Sequence, residues 1–313
     1  MRGYMKVSFV LFTCALATSW TACGPGARND DDFGDDDGSN GSGSNPGSGV
    51  AAECNKMDIV FVVDDSGSMS EEQTNLHANF PMFATVLSQY RTMDGQALDF
   101  RIGITTTGKH EHYDPIGGIQ LPDENGPNGG FEHQSGCGTG LWLDQTDGNL
   151  MSDLSCRANV GTTGSSQEMP MLMAKRAVSD RIMDGTNGAF LRDDALLAAV
   201  MITDEDDSSN TDDSLSVPLA GITPNWNPSD EVQFFDTLKG NRTRWAAAVI
   251  AGETDCMSNL GSAVEATRLQ EFVTDANSNS TQAVFSSICD GDLSIGLSKA
   301  LDTFQTACGN IIF

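Results

Sequence analysis

Two largely apolar runs dominate the hydrophobic pattern of the chain. Residues 57–63 read MDIVFVV, and residues 195–203 read ALLAAVMIT. Neither run alternates steadily between apolar and polar positions, and the first is rich in β-branched residues, which favours strands that are covered by helices on both faces. The pattern therefore predicts a parallel sheet buried between two layers of helices.

Shorter patterns predict the elements around these strands. Leu76, Phe80, Phe83, Leu87 and Tyr90 recur at helical spacing, so we expect one face of a helix to be buried against the sheet. Pro81 interrupts that helix and predicts a kink or an earlier end. Alternating apolar and polar residues over 98–104 predict a half-exposed strand near the edge of the sheet.

The second half of the chain alternates between helical and strand patterns. The predicted elements are helices over residues 167–180, 230–238, 262–275 and 292–306 and strands over residues 245–251 and 282–286. Such alternation is typical of α/β folds. The prediction is an α/β, doubly wound, mostly parallel central sheet with helices on both faces (Rossmann-like) and loop insertions.

The first residues predict export. Arg2 and Lys6 flank the start of an apolar stretch of 11 residues over 7–17. This stretch is too short to span a bilayer and suits the core of a signal peptide. Residues 20–23, WTAC, resemble a bacterial lipoprotein box, so we expect a signal peptide over residues 1–22 and lipidation of Cys23. Ordinary cleavage near Ala17 is the alternative.

Residues 23–53 are rich in Asp, Gly, Ser and Asn and lack the apolar residues that a core requires. They predict a lipid-anchored, flexible acidic linker before a domain over residues 54–313. The expected location is the bacterial cell envelope, with membrane attachment through the lipid.

The cysteine count is consistent with export. Of eight cysteines, Cys14 would leave with the signal peptide and Cys23 would carry the lipid, which leaves six. An even number in an exported chain suggests three disulfides. The expected pairs are Cys54 with Cys308, Cys137 with Cys156, and Cys256 with Cys289.

The charge excludes one class of partner. The formal net charge is -27, and nucleic acid binding needs a basic surface, so no nucleic acid is expected. We expect this negative charge to attract divalent cations or simply to keep the protein soluble.

A polar motif directly follows the first apolar run. Asp64, Ser66 and Ser68 occupy alternate positions of a Gly-containing turn, where their oxygen atoms can all face one hard cation. In parallel α/β sheets, ligands bind outside the carboxyl ends of the strands, which is where this turn falls. The alternative is a turn that only caps a helix beginning at Ser70, with Glu72 and Gln73 near the capping-box position.

These residues resemble the von Willebrand factor type A (vWA, integrin I-like) family, whose metal-ion-dependent adhesion site (MIDAS) combines D-x-S-x-S, a distant Thr and an Asp after a central strand. Asp64, Ser66 and Ser68 match the first element. Thr163, with Thr162 as the alternative, matches the second, and Asp204 matches the third.

The chain departs from the family at the third element, because Glu205 stands where the family has Gly. The four acids over 204–207 are expected to form a solvated loop, with a Ca²⁺ site as the alternative.

The resemblance implies a divalent cation, Mg²⁺ first and Mn²⁺ or Ca²⁺ as alternatives. Neutral hydroxyls would leave the ion much of its charge, so an open position would attract an acidic side chain from a protein or matrix ligand. We expect no enzyme, because no general base is evident beside the site. The rival is a structural module whose ion only ties loops together.

A long segment over 108–159 is predicted as an insertion and as a candidate for partner specificity. Its residues His110, His112 and His133 could instead hold zinc in an extracytoplasmic hydrolase, which is the remaining alternative. Residues 103–110 nearly spell a nucleotide-binding P-loop, but His110 replaces the required Ser or Thr. We therefore do not expect the chain to bind a nucleotide.

Overall fold

A six-stranded sheet with helices on both faces forms the centre of the structure. The computed structural model describes residues 54–92, 95–113, 124–212, 214–215, 223–258 and 261–311. The predicted signal peptide, Cys23 and the linker lie outside these residues. None of the helices within the described ranges is long and apolar enough to cross a membrane.

The elements follow one another in a largely alternating order. The strands are β1 Lys56–Val63, β2 Asp99–Thr106, β3 His110–Tyr113, β4 Glu124–Asn125, β5 Leu143–Asp144, β6 Leu196–Ile202, β7 Ser214–Leu215, β8 Trp245–Ala251, β9 Cys256–Ser258, β10 Gly261–Ala263 and β11 Ala283–Ser287. The helices are α1 Ser70–Gln89, α2 Leu150–Ala158, α3 Pro170–Val178, α4 Asp180–Met183, α5 Pro228–Lys239, α6 Thr267–Ala276 and α7 Leu293–Gly309.

The central sheet has the strand order β11-β8-β6-β1-β2-β5. All neighbouring strands are parallel except β5, which pairs antiparallel with β2 at one edge. Strands β1 and β6 lie side by side in the middle, with Val63 opposite Ile202 at their carboxyl ends. The predicted fold class, a doubly wound and mostly parallel sheet, is confirmed.

Each face of β1 contributes to a different apolar layer. Ile59, Phe61 and Val63 pack with residues of α1, α2 and α7, whereas Val60 and Val62 pack with residues of α3, α5 and α6. Both layers exclude water almost completely, since all five side chains are at most 1% exposed. Burial on both sides explains why the sequence of β1 does not alternate.

Helix α1 does not end at Pro81, and the prediction of an earlier end was wrong. A proline inside a helix leaves the carbonyl four residues before it without its usual donor. Here that carbonyl belongs to His77, and it accepts a hydrogen bond from Ser155 Oγ of α2 at 2.7 Å. The neighbouring helix therefore supplies the donor that Pro81 lacks.

Two further expectations needed correction, those for the strand over 98–104 and the helix over 262–275. Strand β2 is not half exposed, because its residues from Ile102 onward are buried and the ring of Phe131 covers Gly103 so closely that a Cβ there would lie 2.3 Å from it. The segment over 108–159 contains β3, β4, β5 and α2. The helix predicted over 262–275 begins only at Thr267, since residues 261–263 form β10.

The six cysteines of the described residues form the three pairs that were expected from the sequence. Cys54 is joined to Cys308, Cys137 to Cys156 and Cys256 to Cys289. The first pair links the segment before β1 to the last helix. The third connects the short β9–β10 hairpin to the segment after β11.

Candidate metal centre

The candidate site lies where β1 and β6 end side by side. The backbone N–H of Asp64 donates to the carbonyl of Ile202 at 2.9 Å, and that of Thr203 donates to Ile250 at 3.1 Å. These bonds continue the hydrogen-bonding pattern of the sheet one residue beyond the ends of the strands. They bring Asp64 next to Thr203 and Asp204, which are 139 and 140 positions further along the chain.

The carboxylate of Asp64 is held on both oxygen atoms. Its Oδ1 accepts from the backbone N–H of Ser66 at 2.8 Å, and its Oδ2 accepts from the hydroxyl of Thr203 at 2.6 Å. Gln73 donates its side-chain amide to the Asp64 carbonyl at 2.7 Å. Sequence reasoning missed Thr203 and Gln73 as positioning residues, although Thr203 directly precedes the matched Asp204.

Two hydroxyls and a second carboxylate adjoin Asp64. Ser66 Oγ lies 3.0 Å from Ser68 Oγ, and Ser68 Oγ donates to Asp204 Oδ1 at 3.2 Å. Asp64, Ser66 and Asp204 are buried, whereas Ser68 is exposed. The structure thus brings four of the five predicted ligands together, with an opening to solvent on the Ser68 side.

The loop that carries Thr162 and Thr163 contacts the same turn through its backbone. The N–H of Gly164 donates to the carbonyl of Asp65 at 2.7 Å. A Cβ on Gly164 would lie 2.1 Å from the carboxyl carbon of Asp65, so only glycine fits there without displacing that side chain. Thr163 is exposed and Thr162 is half-buried. The assignment of either threonine as a ligand stays a prediction.

Negative charge is concentrated around these oxygen atoms. Burial raises the pKa of Asp64. Burial and the charge of Asp64 raise the pKa of Asp204 to about 6 and that of Asp65 to about 7. Burial, together with the charge of Asp204, raises the pKa of Glu72 to about 7. A bound cation would oppose each of these shifts by favouring the ionised carboxylates.

Two buried carboxylate oxygens near the site accept no hydrogen bond. Asp65 Oδ1 and Glu72 Oε2 have no hydrogen-bond partner in the structure, and buried acceptors are normally satisfied. The atoms available to coordinate a metal are hydroxyl and carboxylate oxygens, so the residues fit a hard cation such as Mg²⁺, Mn²⁺ or Ca²⁺.

The acidic run after β6 is not a solvated loop, so that expectation was wrong. Asp204 and Asp207 are buried, and only Glu205 of the four is exposed. Asp206 accepts from Thr267 Oγ1 at 2.9 Å and from the backbone N–H of Arg268 at 3.1 Å, which caps the start of α6. Asp207 accepts from the hydroxyl of Ser209 at 2.6 Å. The run therefore has structural partners on several sides.

The zinc alternative finds no support in the described part of the chain. No group of three or more His, Cys, Asp and Glu side chains is arranged there to hold a metal. Among the described residues, His110, His112 and His133 are therefore not part of such a group. The site at Asp64 is of another kind, since serine hydroxyls supply part of its oxygen atoms.

Comparisons with known proteins give distant structural similarities. Proximal thread matrix protein 1 from the mussel byssus has 12% identity over 82% of this chain and 49% of its own, with a TM-score of 0.41. The pilus adhesin SpaC from Lactobacillus rhamnosus GG has 10% identity over 82% and 31%, with a TM-score of 0.42. Manganese-loaded TRAP protein from Plasmodium vivax has 12% identity over 82% and 75%, with a TM-score of 0.37.

The chain spans about half the length of the mussel protein, one structure of which has a zinc-occupied MIDAS motif. No protein-family model matches the sequence, and no curated protein matches it. At these low identities and TM-scores, no ligand or activity is carried over from the similar structures.

The architecture itself defines the class. A mostly parallel six-stranded sheet lies between two helical layers, and a D-x-S-x-S turn and an Asp meet at the carboxyl ends of its two central strands. This arrangement resembles that of vWA-like domains, and the doubly wound α/β fold that the sequence resemblance implied is confirmed.

Proposed function

We propose that this chain is a binding protein of the adhesion type, in which a divalent cation recruits an acidic side chain of a protein or matrix ligand. The observation that carries the proposal is the contact series Ser66 Oγ to Ser68 Oγ to Asp204 Oδ1, at 3.0 and 3.2 Å, beside the fully buried Asp64. These residues come from loops that are far apart in sequence, which a simple helix cap would not require.

In this proposal the residues have distinct roles. Ser66, Ser68 and Thr163 would hold the ion through neutral hydroxyls, and Asp64 and Asp204 would orient these hydroxyls and bound water. The ion would supply an electrostatic attraction for a ligand carboxylate. Mg²⁺ is the first candidate, and Mn²⁺ or Ca²⁺ are the alternatives.

The same proposal places the chain in the bacterial cell envelope as a lipoprotein. Its support is the apolar stretch over 7–17, the lipoprotein-like sequence before Cys23, and three disulfides, which persist in oxidising compartments. Metabolic labelling with a palmitate analogue in a bacterial host tests it. The label is expected on the wild type and not on Cys23→Ala, and equal labelling of both would contradict the anchor.

Ser68→Ala tests the adhesive role. It removes one hydroxyl from the exposed side of the site, and Ser70→Ala, at an exposed position two residues on, is the matched control. We expect binding of an envelope or matrix ligand by the wild type and the control, and its loss with chelator or in Ser68→Ala. Ser68→Ala should stay folded at the temperature of the assay, although loss of the ion lowers its melting temperature.

The structural alternative predicts the opposite result for ligand binding. If the ion only ties loops together, chelator and Ser68→Ala will lower the melting temperature by several degrees, and any ligand binding will be unchanged once the protein is folded.

A further inference from the structure

We infer that the segment recognised at this metal centre is cationic: a peptide that presents one carboxylate among Lys or Arg residues, with an apolar side chain beside the carboxylate. The inference rests on the proposed function and adds the chemistry of the partner. Three features of the surface around the site carry it.

The first feature is a strong imbalance of charge at the edge of the sheet that bears the site. The segments around the carboxyl ends of the parallel strands contain sixteen Asp and Glu residues and one basic residue; they are residues 64–72, 107–113, 159–168, 203–212, 252–266 and 288–292. A single divalent ion would offset only a small part of this charge. With one divalent ion bound, the formal charge of these segments stays negative.

The second feature is that the one basic residue of these segments is buried, whereas some of the acids are exposed. Lys109 is 1% exposed, and its Nζ donates to the backbone carbonyls of Asn210 and Asp212. By contrast, Glu71 and Glu265 are exposed to solvent. Glu71 lies three positions after Ser68, and Glu265 directly follows Val264, whose N–H bonds the Asp204 carbonyl, so both exposed acids belong to segments that border the site.

This arrangement discriminates between ligands that share the same carboxylate. Complementary charge speeds association and suppresses partners of like charge. A ligand with several acids would gain one contact with the ion and be repelled by the surrounding carboxylates. A ligand whose single acid is flanked by Lys or Arg would gain both the contact with the ion and the attraction of the surrounding carboxylates.

The third feature is an exposed apolar side chain on the β9–β10 hairpin beside the site. The backbone N–H of Val264 donates to the Asp204 carbonyl at 3.0 Å, and a Cβ on Gly261 would lie 1.7 Å from Glu72 Oε1. Met257, paired with Ser262 in this hairpin, is 86% exposed. Methionine adapts well to varied apolar partners, so it is suited to contact an apolar residue of the ligand.

Peptides of equal length test the inference on the full chain with Mg²⁺. All probes are acetylated and amidated at their ends, so that the central Glu is the only carboxylate of the cationic probe, Gly-Lys-Leu-Glu-Lys-Gly. The neutral probe has Ser for both Lys and is neutral in its flanking residues only, the acidic probe has Glu for both Lys, and a control has Gln for the central Glu of the cationic probe. Binding is followed by NMR, which detects millimolar affinities. We expect the order cationic, neutral, acidic, with steps on the order of tenfold at low salt and weaker cationic binding at high salt. Binding of the Gln control should be absent.

Variants locate the effect on the protein. Glu71→Gln with Glu265→Gln should weaken binding of the cationic probe several-fold and should not weaken binding of the neutral probe. Asp193→Asn with Asp302→Asn removes two exposed acids outside those six segments and should change the binding of neither probe. Met257→Ser should weaken probes that contain Leu and leave a Leu→Ser cationic probe unchanged.

Two outcomes separate this inference from the proposed function. If all probes with the central Glu bind equally and the Gln control does not, the cationic preference is overturned and the proposed function stands. If the ion binds but no probe depends on its central Glu, the proposed function is overturned, and the inference with it.

Discussion

At the scale of single residues, the site depends on how Asp64 is buried. Its carboxylate is fully covered and is held by the Ser66 N–H and the Thr203 hydroxyl. Burial without a counter-charge disfavours the ionised form of this carboxyl group, and its pKa is raised for that reason. A cation would therefore stabilise the folded chain as well as attract a ligand.

Gly164→Ala should disturb the site through the Asp65 side chain. The added Cβ would meet the Asp65 carboxyl carbon at 2.1 Å, so overpacking is expected to cost about 1–3 kcal/mol in unfolding free energy. Divalent ion affinity should fall as well, because the loop of Thr162 and Thr163 moves.

Asp65→Ala in the same chain provides the control for that substitution. It removes the atoms that clash, so the double variant should lose less stability than the two single changes added together. Urea unfolding of all four proteins measures this coupling, and strict additivity would contradict the contact.

The raised pKa of Asp204 predicts a direction of pH dependence. Its folded-state value of about 6 lies above its ordinary value of 3.8, so the folded state binds more protons than the unfolded state between these values. The free energy of unfolding of the metal-free protein should therefore fall as pH rises from about 4 to about 6. Asp204→Asn should show a smaller fall, and Mg²⁺ should reduce it in the wild type. Urea unfolding at several pH values with chelator is the measurement, and a larger fall in Asp204→Asn would contradict the account.

At the scale of elements, the long buried strands and the faces of the helices were the most predictable part. β1 is largely apolar and β6 is continuously apolar, and Leu76, Phe80, Phe83 and Leu87 are buried as their spacing predicted. Local pattern is informative there because burial imposes it.

Other elements depend on contacts that sequence spacing does not reveal. The hairpin strand β10, Gly-Ser-Ala, has no apolar pattern, and it forms beside β9, Glu72 and the Cys256–Cys289 disulfide. Asp206 was read as part of a solvated run because its partners in α6 are about 60 residues away. Such tertiary contacts determine the local structure, and the local sequence pattern does not reveal them.

The junction of α1 and α2 gives a prediction at this scale. Ser155→Ala would leave the His77 carbonyl without its donor and should cost about 1–3 kcal/mol in unfolding free energy. With Pro81→Ala, the new backbone N–H can bond His77, so Ser155→Ala should cost clearly less in that background. Denaturant unfolding of the double-mutant cycle measures the difference, and equal costs in both backgrounds would show that Ser155 does not compensate for the proline.

At the scale of the whole molecule, the disulfides differ in the length of chain that they close. Cys54 and Cys308 are 254 positions apart, whereas Cys137 and Cys156 are 19 apart. Loop-closure entropy predicts that replacing the first pair by Ala costs about 5 kcal/mol and replacing the second about 3 kcal/mol. Unfolding of the two double variants by urea tests this order, and a larger loss for the shorter loop would contradict it.

The candidate site was predictable because parallel strands carry their carboxyl ends to one edge of the sheet. That topology made Asp64 and Asp204 neighbours once β1 and β6 were recognised. The roles of Thr203 and Gln73 were not predictable, because each depends on the orientation of a side chain toward Asp64. Which of Thr162 and Thr163 faces the ion is likewise a matter of loop conformation.

Direct titration of the metal-free protein with Mn²⁺, with free Mn²⁺ followed by electron paramagnetic resonance, tests the central claim. The site formed by Ser66, Ser68, Thr163, Asp64 and Asp204 is expected to bind one ion per chain, and Mg²⁺ should compete for it. Ser66→Ala with Ser68→Ala should abolish this binding, while Ser70→Ala should retain it. Unchanged Mn²⁺ binding by the double variant, or none by the wild type, would contradict the account.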